Sequence, residues 1–319
     1  MSYTIGERVA PRQAFGDTLV ELGGLYPDLL VLDGDLANST LADRFAHAYP
    51  DRFLAMGIAE QNMAGTAAGL ATLGFIPWIS TFAAFAAKRD LDQVRVVIAQ
   101  PGLNVKITGA YSGLLTGFTG KTHQSAEDIT VFRAMPNMTV LAPADATETR
   151  LAMHAATSHP GPVYMRLTRD PSPVIFGPDH PFEIGRGYVV REGSDVALIS
   201  TGAQTTRALE AADILAAEGV FAHVLHMPTL KPFDEQAVVE AAARTGAVVT
   251  AEDHTIIGGL GGAVAEVLGE RRPTPMHRVG IRDTFGESGP NDALLEKYGL
   301  TARHVAAAAR ELLQAVHQS

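Results

Sequence analysis

Short apolar runs alternate with helical patterns along almost the whole chain, and this alternation constrains the fold more than any other feature of the sequence. In the first half, strand patterns lie at 28–32, 75–80, 104–107, 138–141 and 163–167. Between them, helical patterns lie at 58–73, at about 82–98 and at 145–157. Strands and helices that alternate in this way are typical of a parallel sheet covered by helices. The pattern therefore predicts a doubly wound α/β domain.

A segment rich in Pro and Gly, from 171 to 187, separates this half from a second one. Such a composition is typical of a linker. The alternation then resumes, with strand patterns at 196–200, 221–225, 247–250 and 277–281. We therefore expect two doubly wound three-layer α/β domains, residues 1–178 and 188–319.

Composition excludes several classes of protein. The chain has 319 residues, of which 46% are hydrophobic and 19% are charged, as expected of a folded globular protein. Because it has no Cys, a disulfide framework, a thiolate zinc site and a cysteine nucleophile are excluded. The formal net charge of −10 argues against nucleic acid as a partner.

Two further patterns concern membranes and targeting. The segment 61–87 has no charged residue, but Gly65, Gly69, Gly74 and Pro77 interrupt it, so we expect a buried helix and a strand rather than a membrane span. The first residues have no basic flank before an apolar run, which gives no indication of a signal peptide. We expect a cytoplasmic protein.

Polar residues follow several of the predicted strands. Asp33 and Asp35 follow the first strand, a Gly-rich loop from 108 to 123 follows the third, and Arg169 follows the last. Ligands of parallel α/β sheets bind outside the carboxyl ends of the strands. These positions are therefore candidates for a binding site.

Glu60 stands at the beginning of the least charged segment of the chain. A carboxyl group that is buried there is costly unless it is paired, and desolvation favours its protonated form, which suits proton exchange with a ligand. The alternative is a carboxylate at a helix start that is stabilised only by the helix dipole.

Aromatic and basic side chains near the strand ends also allow either a functional or a purely structural interpretation. Phe82 and Phe85 could form an aromatic wall or simply pack in the core. His123 could exchange protons or be a solvated loop residue. Arg166 and Arg169 could bind phosphate or carboxylate, or form ordinary ion pairs.

A series of motifs in this order resembles the C-terminal half of a transketolase over nearly the whole chain. The resemblance is more distant to deoxyxylulose-phosphate synthases and to the beta subunits of 2-oxoacid dehydrogenases. The motifs are Asp33-Gly34-Asp35-Leu36, Gly57-Ile58-Ala59-Glu60-Gln61-Asn62-Met63, Thr81-Phe82-Ala83-Ala84-Phe85, Thr122-His123-Gln124, Asn137-Met138-Thr139-Val140-Leu141-Ala142-Pro143-Ala144-Asp145, Thr250-Ala251-Glu252-Asp253-His254 and Gly258-Gly259-Leu260-Gly261.

The resemblance implies thiamine diphosphate as cofactor and a transketolase pyrimidine-binding domain followed by a transketolase C-terminal domain. It implies that Glu60 protonates the aminopyrimidine ring and that His123 faces the substrate. The other implied roles are cofactor binding by Phe82, Phe85, Asp35 and Ile58, and binding of the substrate phosphate by Arg169 and Arg166.

The sequence lacks one family motif. The family holds magnesium and the diphosphate with a Gly-Asp-Gly motif on a separate domain, and no Gly-Asp-Gly occurs in this chain. The resemblance therefore implies that this chain supplies no metal ligand and that a second polypeptide, an N-terminal-half transketolase subunit, carries the Mg²⁺ and diphosphate site. Two copies of each chain would form an α2β2 assembly with a homodimer contact.

Two departures from the family concern the substrate. Thr119 stands where the family has an aspartate that contacts a sugar hydroxyl, and Tyr111 stands where it has a histidine. Such changes alter selectivity, so an unusual sugar phosphate such as apulose 4-phosphate is a candidate substrate.

Other functions stay open at this stage. They are a deoxyxylulose-phosphate-synthase-like enzyme, the beta subunit of a 2-oxoacid dehydrogenase, and a non-catalytic interaction subunit. A dinucleotide site at Gly258–Gly262 is the weakest alternative, because its spacing departs from Gly-x-Gly-x-x-Gly.

Overall fold

The apolar runs form the strands of two large sheets in the computed structural model, which describes residues 3–318. The strands are β1 (Arg8–Val9), β2 (Leu29–Asp33), β3 (Phe53–Ala55), β4 (Ile76–Phe82), β5 (Lys106–Ala110), β6 (Thr139–Leu141), β7 (Val163–Arg166), β8 (Ser172–Pro173), β9 (Tyr188–Arg191), β10 (Val196–Ser200), β11 (Ala222–His226), β12 (Thr229–Lys231), β13 (Val248–Thr255) and β14 (Met276–Ile281).

Helices connect the strands and cover the sheets, which confirms the α/β class. The helices are α1 (Pro11–Leu25), α2 (Ala37–Thr40), α3 (Asp43–Ala48), α4 (Glu60–Thr72), α5 (Ala83–Ala86), α6 (Leu91–Gln93), α7 (Asp128–Arg133), α8 (Ala146–Ser158), α9 (Gln204–Ala216), α10 (Glu235–Thr245), α11 (Leu260–Arg271), α12 (Asn291–Lys297) and α13 (Ala302–Gln318). Among residues 3–318, no helix is both long and apolar enough to span a membrane.

The first sheet has seven strands in the order β12-β6-β7-β5-β4-β2-β3, and all pairs except β12–β6 are parallel. Every residue of β2, β4 and β5 is buried. Central parallel strands are covered on both faces, which is why they are continuous apolar runs in the sequence. The polar residues that follow them lie together at one edge of the sheet.

The second sheet has five strands in the order β14-β13-β10-β11-β9, of which β9 is antiparallel to its neighbour. The two halves of the chain share more than the linker. Strand β12, from the second half, pairs with β6 of the first sheet, and one hydrophobic cluster contains both Ile79 of β4 and Ile199 of β10. This shared core fixes loops of the second half against the carboxyl edge of the first sheet.

The single helix predicted at about 82–98 is wrong, because the structure divides this segment. Helix α5 ends in a turn in which the amides of Lys88 and Arg89 both donate to the carbonyl of Phe85. The chain then restarts at α6, and Val94–Ala99 forms a π-helical stretch. The turn directs the Arg89 side chain toward Glu60, and π-helical segments are frequent near functional sites.

Candidate active site

The carboxyl ends of four neighbouring strands meet at one edge of the first sheet. Strands β2, β4, β5 and β7 are consecutive in the sheet. Strand β2 ends at Asp33 and β4 ends at Phe82, whereas Tyr111 directly follows β5 and Arg169 lies three residues beyond β7. The positions that the sequence singled out are therefore brought together in space, as the rule for parallel sheets requires.

Glu60 is the first residue of α4 and is only 4% exposed, so the predicted burial is confirmed. Its Oε1 accepts a hydrogen bond from Nη1 of Arg89 at 2.6 Å. The guanidinium compensates the charge of a carboxylate that would otherwise be costly to bury. The helix dipole adds a smaller stabilisation, since Glu60 lies in the first turn.

Phe82 and Phe85 form an aromatic wall beside this pair. Their ring centroids are 5.6 Å apart with an interplanar angle of 28°, and Phe82 stacks on Tyr111 at 4.0 Å. The guanidinium of Arg89 lies 3.7 Å from the ring centroid of Phe85 and so links the wall to Glu60. Phe82 and Tyr111 belong to a small hydrophobic cluster that is separate from the main cores, which favours a wall over plain core packing.

His123 completes the wall. Its ring approaches Phe82 and Phe85 edge-on, at centroid distances of 5.9 and 5.4 Å. Its Nδ1 lies 2.8 Å from the hydroxyl of Thr122, which leaves Nε2 as the nitrogen without a partner among residues 3–318. The imidazole is only half-buried, as required of a side chain that meets a substrate.

The loop that carries His123 is fixed by the second half of the chain. Both carboxylate oxygens of Asp253 accept from the amide of Leu114, at 3.0 and 3.1 Å. Gly113 has φ +69°, and a Cβ there would lie 2.0 Å from Asp253 Oδ2, so only glycine fits. The C-terminal sheet thus holds the active-site loop in place.

Asp33 and Asp35 shape the turn after β2. Oδ1 of Asp33 accepts from the amide of Leu36 at 2.7 Å, and its buried Oδ2 has no partner among residues 3–318. Burial raises the pKa of Asp33 to about 6, although backbone amides oppose the shift. Asp35 is exposed and has φ +67°, a left-handed conformation that Asp adopts more readily than most non-glycine residues.

Two arginines and the tyrosine that stacks on Phe82 are here called the anion site. It consists of Arg12, Tyr111 and Arg169. Arg12 Nη1 lies 3.4 Å from the Tyr111 hydroxyl, and the guanidinium of Arg169 lies 5.4 Å from the Tyr111 ring centroid. The Nε atoms of both arginines are buried and have no hydrogen-bond partner among residues 3–318. Unpartnered donors on two guanidinium groups that both approach Tyr111 favour an anionic ligand.

Arg166 does not take part in this site, and the structure corrects its predicted role. It is 5% exposed, and its guanidinium bonds both carboxylate oxygens of Asp128, at 3.0 and 3.2 Å, and the carbonyl of Asp253 at 3.1 Å. Nε and Nη2 of Arg166 are therefore committed to a buried ion pair and a backbone carbonyl. Strand β7 ends at Arg166, and only residues beyond the strand end reach the anion site.

The residues present fit the pyrimidine end of thiamine diphosphate. Glu60 offers a buried carboxyl group to a ring nitrogen, and Phe82 and Phe85 offer a face on which an aromatic ring can stack. Ile58, two residues before Glu60, is 73% exposed. Among residues 3–318, no group of three or more His, Asp or Glu side chains could hold a metal ion.

Sequence reasoning missed Arg12 and Arg89. Arg12 lies in the first turn of α1, a helix that the sequence patterns did not predict. Its contact with Tyr111 joins residues that are 99 positions apart in the sequence. Arg89 reaches Glu60 across 29 positions by way of the turn after α5. No specific sequence signal marked them, because Arg12 lies well before the first predicted strand and Arg89 lies inside the helix predicted at about 82–98.

Comparisons with known proteins identify the family to which each half of the chain is similar. Residues 7–173 match the family described as transketolase, pyrimidine binding domain, and residues 185–305 match transketolase, C-terminal domain. The chain is 45% identical over 303 residues to the 6-deoxy-6-sulfo-D-fructose transketolase subunit SqwH of Clostridium sp. (strain MSTE9), covering 95% of this chain and 94% of that one.

Two other relatives are similar in extent. One of the subunits of the apulose-4-phosphate transketolase of Phocaeicola vulgatus is 35% identical, with 96% of this chain and 98% of that protein covered. A solved structure described as a split gene transketolase, inactive beta4 tetramer, superposes with a TM-score of 0.90 at 52% identity, covering 96% of this chain and 99% of that one.

Proposed function

The chain belongs to the transketolase family, and from this premise we propose that it is one subunit of a split, thiamine-diphosphate-dependent transketolase. It would transfer a two-carbon ketol unit from a ketose to an aldehyde acceptor. The observation that carries the proposal is the buried carboxyl of Glu60 next to the stacked rings of Phe82 and Phe85, with the anion site beyond them.

Each residue of this site has a role that its position supports. Glu60 would hold and return a proton at a nitrogen of the aminopyrimidine ring, while Phe82 and Phe85 would fix the plane of that ring. The half-buried His123 would orient a hydroxyl group of the substrate or move its proton. When bound, the cofactor supplies the nucleophilic carbon and the electron sink of the reaction.

The anion site would hold the charged terminus of the sugar. Arg12 and Arg169 reach it from opposite ends of the first half of the sequence, and each has a buried Nε without a partner among residues 3–318. Binding energy from this remote group would position the reacting carbons near Glu60 and His123. Both relatives with named substrates act on sugars that carry a terminal anion, a sulfonate in one and a phosphate in the other.

A partner chain would complete the site. Ile58, two residues before Glu60, is 73% exposed, and Leu73 is 75% exposed at the other end of α4. Val96 and Val97, beside this helix, are also exposed. Large exposed apolar side chains around a helix whose only charged residue is Glu60 are typical of an interface. We propose that the subunit with the Mg²⁺ and diphosphate site covers this helix in an α2β2 assembly.

Substitution of Glu60 tests this function. With the partner subunit, Mg²⁺ and thiamine diphosphate present, Glu60→Gln should lower kcat for ketol transfer by at least about a hundredfold, because an amide cannot exchange the proton. Glu270→Gln is the matched control, because Glu270 is exposed and its side chain forms no hydrogen bond or ion pair among residues 3–318. Full activity of Glu60→Gln in an intact assembly would contradict the assigned role and would favour a non-catalytic subunit.

A further inference from the structure

The side chain of Arg89 is held at the candidate site by two contacts. Its Nη1 donates to Oε1 of Glu60 at 2.6 Å, and its guanidinium lies 3.7 Å from the ring centroid of Phe85. The side chain is 44% exposed, and it forms no other hydrogen bond or ion pair among residues 3–318. Arg89 can therefore leave this position without breaking any polar contact except the one with Glu60.

The guanidinium of Arg89 extends the stack of aromatic rings. Tyr111 stacks on Phe82 with the ring centroids 4.0 Å apart, and Phe82 stacks on Phe85 at 5.6 Å. His123 approaches both phenylalanine rings edge-on. Because Arg89 lies over the ring of Phe85 and also bonds Glu60, a planar cation fills the space between that ring face and the buried carboxyl group.

A guanidinium and an aminopyrimidine ring make the same two kinds of contact. Both are planar and stack on an aromatic face, and both have nitrogen atoms at the edge that can hydrogen-bond a carboxyl group. An aminopyrimidine ring that bonds Oε1 of Glu60 and stacks on this face of Phe85 needs the space that Arg89 fills. The two groups therefore exclude each other.

We propose that Arg89 is a placeholder for the aminopyrimidine ring, which it replaces in the chain without cofactor and for which it moves aside when the cofactor binds. The inference rests on the proposed function, because it takes Glu60 and Phe85 to hold that ring. While Arg89 is in place, it compensates the buried carboxylate of Glu60. The lone chain then binds the ring weakly, since only the fraction with Arg89 displaced is competent to bind.

The test measures binding of 4-amino-5-hydroxymethyl-2-methylpyrimidine to the full chain by ligand-observed NMR at pH 8. This probe has the cofactor's ring without its thiazolium and diphosphate groups, so the loss of a positive charge from the chain does not by itself attract it. Arg89→Ala should bind the probe about five- to tenfold more tightly than the wild type, because a cation–π contact and a partly exposed ion pair no longer have to be broken.

Arg272→Ala is the matched control, because Arg272 is exposed and its side chain forms no hydrogen bond or ion pair among residues 3–318. It should leave the dissociation constant of the probe unchanged. Equal or weaker binding of the probe by Arg89→Ala, compared with the wild type, would overturn the placeholder role and would show that Arg89 supports the bound ring.

A second measurement uses the wild-type chain and decides the matter even if Arg89→Ala fails to fold. The NMR signal of the Arg89 Nε–H group is shifted by the ring of Phe85 as long as the guanidinium lies over that ring. Saturation with the probe should move this signal to the position of exposed arginines. If the ring signals of Phe85 respond to the probe while the Arg89 signal stays in place, the inference fails and the proposed function stands.

One further variant tests the proposed function separately. Phe85→Leu, introduced into Arg89→Ala, should weaken the probe again, because the stacking face is lost. If it does not, and the probe leaves the ring signals of Phe85 in the wild type unchanged, the ring is not held at this site. That outcome refutes the proposed cofactor site itself, and the placeholder with it.

Discussion

At the scale of single residues, two of the buried carboxylates in this protein are each paired with an arginine. Glu60 meets Arg89, and Asp128 meets Arg166. The two pairs differ in exposure, since the side chain of Arg89 is 44% exposed and that of Arg166 is 5% exposed. The partner of Glu60 therefore borders solvent, whereas Arg166 is locked in the interior.

The locked pair predicts a structural role for Arg166. Arg166→Met should lower the free energy of unfolding by about 3–5 kcal/mol, because it leaves the buried carboxylate of Asp128 without its cation. The double variant Arg166→Met with Asp128→Asn should recover part of this loss, since no unpaired charge remains. Urea unfolding followed by circular dichroism measures both changes.

A different result would restore the role in phosphate binding that the sequence suggested for Arg166. That role would require unchanged stability in Arg166→Met together with weakened binding of methyl phosphate. Arg272→Gln, an exposed arginine without side-chain contacts among residues 3–318, controls for the loss of one positive charge.

Single residues also show how far the sequence alone can be interpreted. Glu60, Phe82 and Arg169 could be predicted because they follow strand ends or begin a helix, and the sheet gathers such positions at one edge. Arg89 and Arg12 could not, because each contact depends on the path of a turn or a helix across the sheet edge. Local periodicity contains no information about such paths.

At the scale of elements, helix α8 joins the two halves of the chain through Glu148. The carboxylate accepts from Nε2 of His226, at the end of β11, at 2.8 Å, and from the amide of Ala144 at 2.7 Å. His180, in the segment between the two sheets, lies 3.3 Å from the other oxygen. Burial raises the pKa of Glu148, but the charge of His226 and these hydrogen bonds outweigh that effect and lower the pKa to about 2.

This shift predicts how stability depends on pH. A carboxylate whose pKa is lower in the folded chain contributes stability that is complete above its unfolded pKa of 4.5 and is lost as the pH falls toward 2. Glu148→Gln should therefore lower the free energy of unfolding by about 3 kcal/mol at pH 7, and the difference from the wild type should shrink below pH 4.5.

Urea unfolding at several pH values between 7 and 3 measures this difference, with Glu270→Gln as the exposed control. A gap between wild type and Glu148→Gln that stays constant over this range would show that the carboxylate charge is not what joins the elements. The expected narrowing of this gap at low pH would show that the carboxylate charge of Glu148 does join the elements.

Elements were predictable to the extent that they are regular. The strand predicted at 196–200 coincides with β10. The helix predicted at 145–157 corresponds to α8, which Asp145 caps by accepting from the amide of Glu148 at 2.8 Å. The division of the segment from 82 to 98 was not predictable, because the turn between α5 and α6 is imposed by tertiary contacts rather than by Gly or Pro. Short elements such as β12 have too few residues for a pattern.

At the scale of the whole molecule, the two halves act as one support for the candidate site. The second half pins the His123 loop through Asp253 and adds β12 to the first sheet. The predicted domain boundaries at 178 and 188 remain a prediction, since the shared core crosses them. The fold class followed from the alternation of strands and helices, but this interlocking could not, because it depends on contacts between distant segments.

The central claim is that Glu60, Phe82 and Phe85 form half of a cofactor site whose other half lies on a partner chain. Titration calorimetry with thiamine diphosphate and Mg²⁺ tests it most directly, using this chain, the partner and their mixture. We predict tight binding by the mixture alone, weakened by Phe82→Ala because the stacking surface is lost. Binding by this chain alone as tight as by the mixture, or an unchanged dissociation constant for Phe82→Ala, would contradict the claim.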